Sequence, residues 1–230
     1  GILLKPGAEA ENGKYQSTVY APADAVVSVA GTAVAGEAAG SGKAFTFSCD
    51  AAQTVTVQVA GKSYTLSANG ISSLMNTADV TVSEGSMVVV TGNTAAVTLK
   101  AQYRDNGETI GSKTKMFQPY VSFRVSGLGS ASCVKFSYEN TGEMEIEMSI
   151  VFVEADGTKT TVKTTYCGVG GSREVRIDLS EQLAEKLKIN LAEVTEIRLA
   201  FENVLYSPNG TASLMPDRAL VCGNMRVESR

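Results

Sequence analysis

Between Arg173 and Leu179 apolar and polar positions alternate, Val175, Ile177 and Leu179 against Glu174, Arg176 and Asp178. That is the period of two of a strand with one buried and one solvated side. Ser180 then offers an N-cap, and the pattern predicts a short helix over Glu181 to Lys188. Ile197, Leu199 and Phe201 resume the alternation against Glu196, Arg198 and Ala200, and a last strand is expected from Ala219 to Val227. The same parity runs upstream. Val121, Phe123 and Val125 share one side, leaving Tyr120, Ser122 and Arg124 on the other. Val134, Phe136 and Tyr138 oppose Cys133, Lys135 and Ser137, and Met144, Ile146, Met148, Ile150 and Phe152 oppose Glu143, Glu145 and Glu147. In each set the apolar side is expected to face a core. Asp156-Gly157, between two alternating runs, marks a two-residue hairpin. About nine strands with one short helix, from Ile71 onward, fit a jelly-roll sandwich.

The region before Ile71 reads differently. Tyr15 to Leu66 holds short β-prone runs, with Val55, Val57 and Val59 alternating against Thr54, Thr56 and Gln58 and Gly61-Lys62 where a hairpin must reverse. These predict a small immunoglobulin-like β-sandwich. Thr32 to Lys43 is rich in Ala and Gly and is expected to be a mobile loop. VSVAGTAVAG and VQVAGKSYTL echo one another, though a bias toward Ala, Gly and Val produces such echoes unaided. The first fourteen residues hold Pro and Gly with little periodicity and read as a tether, and Asn69-Gly70 reads as a seam. The division is therefore 1–14 linker or tether, 15–70 small sandwich and 71–230 jelly roll, an all-β chain.

Composition narrows what such a chain does. With 230 residues, 43% of them hydrophobic, it is long enough for one large or two modest packed cores. A net charge of −4 and no long Lys/Arg run argue against a nucleic-acid partner. No stretch reaches the roughly 18 apolar residues that cross a bilayer, so no membrane insertion is expected. Cys49, Cys133, Cys167 and Cys222 form no CxxC pair, and free buried thiols are as reasonable as disulfides. His is absent, which removes Ser-His-Asp and Cys-His catalysis and the commonest metal ligand. Phosphate-binding and dinucleotide fingerprints are missing too, so no cofactor is expected and the chain is read as a non-enzyme.

YVSFRVSG, REVRIDLS before a short helix, INLAEVTEIRLAFEN and a final strand give residues 71–230 an order that resembles galactose-binding-like jelly rolls of the bacterial carbohydrate-binding module type. The resemblance implies a secreted or cell-surface protein whose partner is a polysaccharide or cell-surface glycan, or other domains of a parent protein. Such modules often carry a structural calcium held by an acid near the final strand; here Gly223 and Asn224 stand there, so no metal is expected. Sugar recognition uses exposed rings against the apolar face of a pyranose and planar polar groups for its hydroxyls. By parity and loop position, Tyr120, Arg124, Arg198 and Tyr206 are the candidate ligand-binding residues. The plainer alternative is a structural or adhesive spacer, in which each outward Arg pairs with an outward Glu across strands and Tyr206 anchors its loop.

Overall fold

A computed structural model describes residues 1–5, 14–49, 53–67, 71–100, 119–201 and 217–229. They form two compact units, one on Gly1–Ser73 and the other on Leu74–Val227.

In the first unit, strands β1 (Leu3–Lys5), β2 (Tyr15–Pro22), β3 (Val26–Val29), β4 (Thr32–Val34), β5 (Gly36–Ala39), β6 (Gly42–Cys49), β7 (Thr54–Val59) and β8 (Lys62–Ser67) make two antiparallel sheets. Their orders are β1-β2-β6-β5 and β4-β3-β7-β8, the arrangement of an immunoglobulin-like sandwich. Alternation along β2 buries Tyr15, Ser17, Val19 and Ala21, and both sheets feed one core through Phe45, Val55, Val57 and Val27. The echo between VSVAGTAVAG and VQVAGKSYTL has a structural counterpart. Each segment is a hairpin reversing at Ala-Gly, with Ala30, Gly31, Ala60 and Gly61 all at positive φ, as a type I′ turn requires. The hairpins lie side by side, and Val27 pairs with Val57, its own counterpart in the echo.

Two stretches differ from expectation. Thr32 to Lys43 is not a loop: it supplies β4, β5 and the start of β6. Its glycine serves close packing, since a Cβ on Gly36 would lie 2.5 Å from Cε1 of Phe45. Leu3–Lys5, inside the segment expected to be a tether, pairs with β2 as an edge strand.

After β9 (Ile71–Ser73), the second unit contains β10 (Val80–Val82), β11 (Met87–Thr91), β12 (Thr94–Leu99), β13 (Tyr120–Arg124), β14 (Ala131–Asn140), β15 (Ile146–Glu154), β16 (Lys159–Cys167), β17 (Ser172–Asp178), helix α1 (Glu181–Leu187), β18 (Val194–Phe201) and β19 (Arg218–Ser229). One sheet runs β10-β13-β18-β15-β16 and the other β11-β12-β19-β14-β17, the two stacked layers of a jelly roll. Val121, Phe123, Ile146, Ile150, Phe152, Ile197 and Leu199 from the first meet Val97, Leu99, Val134, Phe136, Val175, Ile177 and Leu220 from the second in one core. Burying each such side chain contributes about 1.5–3 kcal/mol.

Ser180 caps α1 as the sequence predicts, its hydroxyl accepting from the Leu183 N–H at 3.1 Å. Lys188, in the left-handed conformation, ends the helix one position early. All four cysteines are buried, and none is joined in a disulfide among the described residues. Among the described residues no helix is long and apolar enough to cross a membrane.

Candidate functional site

The outer face of the β10-β13-β18-β15-β16 sheet combines an apolar floor with polar groups held in place. Pairing register lays its side chains out in rows. Thr81, Ser122, Arg198, Val151 and Thr161 form one row across all of its strands. Arg124, Glu196, Val153 and Lys159 form the next, and Tyr120, Ala200, Ser149 and Thr164 the row on the other side.

The floor of this face is apolar. Val151, Val153 and Ala200 are buried as a small cluster separate from the core, with Tyr120 packed against them. The alternation of β15 hides this: Ile150 and Phe152 point to the core while Val151 and Val153 point the other way, and all of them are buried. The unbroken run Ile150–Val153 is the sequence signal for burial on both faces.

Polar groups stand on this floor in fixed positions. The Arg198 guanidinium carbon lies 4.2 Å from the centroid of the Tyr120 ring. That is a cation–π contact on a partly desolvated face. Nε of Arg198 donates to Oε2 of Glu196 at 2.8 Å, and Nη2 reaches the same oxygen at 2.8 Å. Ser122, itself buried, donates its hydroxyl to that oxygen at 3.2 Å. The Arg198 side chain retains only 18% of its exposure. Guanidinium, ring and carboxylate thus hold one another in place, a planar surface rich in donors above an apolar patch.

The candidate residues fall as follows. Tyr120 and Arg198 come together in that stack. Arg124 lies on the same face, exposed, one row away. Tyr206 lies outside the described residues. Ser122, Glu196, Val151, Val153 and Lys159, which parity alone did not single out, complete the face. The expected cross-strand Arg–Glu pairs take another form: Arg198 pairs with Glu196 and Arg176 with Asp178, each two residues away on its own strand. A side chain two residues on shares the same face, within reach of the long Arg side chain.

At the final strand Asn224 keeps a buried side-chain oxygen without a hydrogen-bond partner, beside the Arg226 guanidinium. The Asn224 carbonyl accepts from Nη1 of Arg226 at 3.0 Å, so a cation there would face a fixed positive charge. Among the described residues no group of three His, Cys, Asp or Glu side chains is placed to hold a metal.

No protein-family model matches the sequence, and no curated protein matches it. Solved structures do resemble it in the course of the chain. The family 11 carbohydrate-binding module from Clostridium thermocellum, in complex with a β-1,3-1,4-mixed-linked tetrasaccharide, is 12% identical; the match covers 65% of this chain and 87% of that one with a TM-score of 0.39. A carbohydrate-binding module for which specific mannan recognition is described is 11% identical over 70% of this chain and 95% of that one, with a TM-score of 0.39. An agarase is 12% identical over 70% of this chain and 25% of that one, with a TM-score of 0.46, so this chain corresponds to about a quarter of the agarase's length. The jelly-roll assignment rests on the strand orders given above.

Proposed function

We propose that residues 74–227 are a non-catalytic carbohydrate-binding module of an exported bacterial protein, taking its glycan on the outer face of the β10-β13-β18-β15-β16 sheet. The observation that carries this reading is the Arg198 guanidinium stacked on Tyr120 and fixed by Glu196 over Val151, Val153 and Ala200. A glycan presents alternating C–H patches and hydroxyls, and this face pairs an apolar floor with oriented donors. Preorganisation lowers the entropic cost of binding, because the long Arg side chain is already ordered. Arg124 adds a second fork at the rim, and Tyr206, outside the described residues, is proposed as a further ligand-binding residue. Glu196 acts here as an anchor and not as an acid, since its carboxylate is already engaged by Arg198 and Ser122.

The test is a glycan array followed by calorimetry with cell-wall and plant polysaccharides. Binding is expected, with Tyr120→Ala and Arg198→Ala each weakening it about tenfold, in line with about 0.5–1.5 kcal/mol for an aromatic contact. Absence of binding to every polysaccharide tried would remove this reading in favour of a structural or adhesive spacer. The saturation of Arg198 by Glu196 is the observation that favours that alternative: a face whose charges satisfy one another needs no ligand.

A further inference from the structure

We propose that β11, at the edge of the β11-β12-β19-β14-β17 sheet, pairs antiparallel with β11 of a second copy of this chain, across a two-fold axis at Val89. Among the described residues β11 pairs with β12 alone, so its other side is a sheet edge. The strand reads MVVVT, and its outer-face side chains Met87 and Val89 are exposed at 66% and 64%. They adjoin Thr98 and Ala96 of β12 and, beyond these, Ala219 and Val221 of β19. Three strands thus share one uncharged, largely apolar patch that runs out to the edge.

Soluble proteins usually guard such an edge with charge or by keeping it short. The other three edges of these two sheets are guarded. Lys163 of β16 donates to the Arg176 carbonyl of β17 at 3.3 Å, and Arg173 of β17 donates to the Tyr166 carbonyl of β16 at 2.9 Å, so cations close that side of the sandwich. β10 is three residues long and lies between Asp79 and Glu84. β11 has neither protection, for no charged residue stands between Glu84 and Lys100. That lack of charge selects the partner. A foreign strand is ordinarily chosen by complementary charge, of which β11 offers none. A two-fold axis sets like against like, which an uncharged strand alone tolerates without repulsion.

Register fits the same partner. The two-residue loop Gly92-Asn93, with Gly92 at φ 56°, joins β11 to β12, and such a loop closes on a hydrogen-bonded pair, here Thr91 and Thr94. Alternation then turns the N–H and C=O of Val89 toward β12 and those of Val88 and Val90 away from it. With the axis at Val89, Val88 of one copy meets Val90 of the other, and the outward groups of both strands pair off. Val89 meets its mate in a non-hydrogen-bonded pair, where side chains approach most closely, at a Cα separation of about 4.5 Å. The continued sheet keeps its faces, so the outer faces of both β10-β13-β18-β15-β16 sheets point to the same side. On the glycan reading above, the dimer would present two sites to one polysaccharide. The pairing itself does not rest on that reading.

Pairing two five-residue strands makes an interface below the roughly 1,200–2,000 Å² of stable complexes, so the dimer is expected to form reversibly as concentration rises. The experiment is sedimentation velocity without polysaccharide, from roughly micromolar to millimolar protein, on the intact chain, Val89→Lys, Val89→Glu and an equimolar mixture of the two variants. Expected is a dimer of the intact chain, monomers of each variant alone because like charges meet on the axis, and a mixed dimer once opposite charges face each other. An intact chain that stays monomeric throughout would overturn the proposal. So would a dimer that persists in either variant, or a mixture of variants that fails to associate. Val26→Lys changes an exposed valine of the first unit and should leave the dimer unchanged; its loss there too would overturn the assignment to β11. Both valines are exposed, so the variants should keep the fold, which far-ultraviolet circular dichroism checks.

Discussion

At the scale of single residues, the burial of Cys222 has a consequence in alkali. Desolvation pushes its thiol from an ordinary 9.0 up to about 12. Below about pH 9 both folded and unfolded chains hold the proton, and the thiol contributes no slope. Above it the unfolded chain releases the proton while the folded one keeps it, so stability falls as pH rises, by about 1.4 kcal/mol per pH unit until the folded thiol itself ionises. Tyr138, whose hydroxyl is raised chiefly by burial and less so opposed by its bond to Thr165, acts in the same direction at higher pH. Denaturation midpoints of the intact chain and of Cys222→Ala between pH 8 and 10.5 test this. The variant starts lower because it leaves a cavity, yet its stability should decline less steeply; parallel declines would show that the thiol is not the source. Sequence reading reached the thiols as small buried hydrophobes without placing them, because parity in a strand such as Ala131–Asn140 says which side a residue faces and not what covers that side. Cys133 faces away from Val134 and is buried all the same.

At the scale of elements, local chemistry was most legible where a capping or turn residue interrupts a clear period. Ser180 between Leu179 and the helix is such a case, and Ser180→Ala should cost about 1 kcal/mol by leaving the Leu183 N–H without its acceptor, with Ser180→Asp recovering most of it. A urea titration of the three proteins checks the order. The Ala-Gly hairpins were only half legible. Gly61 marked a reversal, but the turns sit one residue earlier, because Ala30 and Ala60 themselves take positive φ of 47° and 50°. Alanine is poorly suited to that region, where its Cβ crowds the following carbonyl, and nothing in the letters announces that it is held there. Asparagine suits the position and completes the Asn-Gly signature of a type I′ turn. Ala30→Asn and Ala60→Asn are expected to raise stability by roughly 0.5–1 kcal/mol each, and nearly additively, since the turns share no partner. A loss of stability in either variant would mean the turn geometry is not as described. Thr32 to Lys43 was misread for the converse reason: Ala and Gly there signify close packing against Phe45 as well as freedom, and composition does not separate the two.

At the scale of the whole molecule, alternation reports the core correctly and the proposed binding face poorly, and the same physics accounts for both. A core is built from every strand at once, so an error on one strand is outvoted by the rest. A face such as that of Tyr120, Arg198 and Glu196 depends on which strands are neighbours, and β13 meets β18 only through pairings between residues far apart in the chain. Val151 and Val153 were legible only as an unbroken apolar run, and their role as a floor required the sheet order. The two cores, one around Val27, Phe45 and Val57 and the other around Phe123, Phe152 and Leu199, share no residue. Each should therefore answer to its own substitutions. Phe123→Ala is expected to cost about 3–5 kcal/mol in the larger unit, through lost transfer energy and the cavity left behind. Gly36→Ala is expected to cost about 1–3 kcal/mol in the smaller one, where the new methyl displaces the Phe45 ring. Calorimetric scans should then show Gly36→Ala lowering one transition and Phe123→Ala lowering another. If each substitution instead moved a single transition of the whole chain, the two cores would be melting as one cooperative body, and a glycan bound to the larger unit would raise the stability of both by mass action.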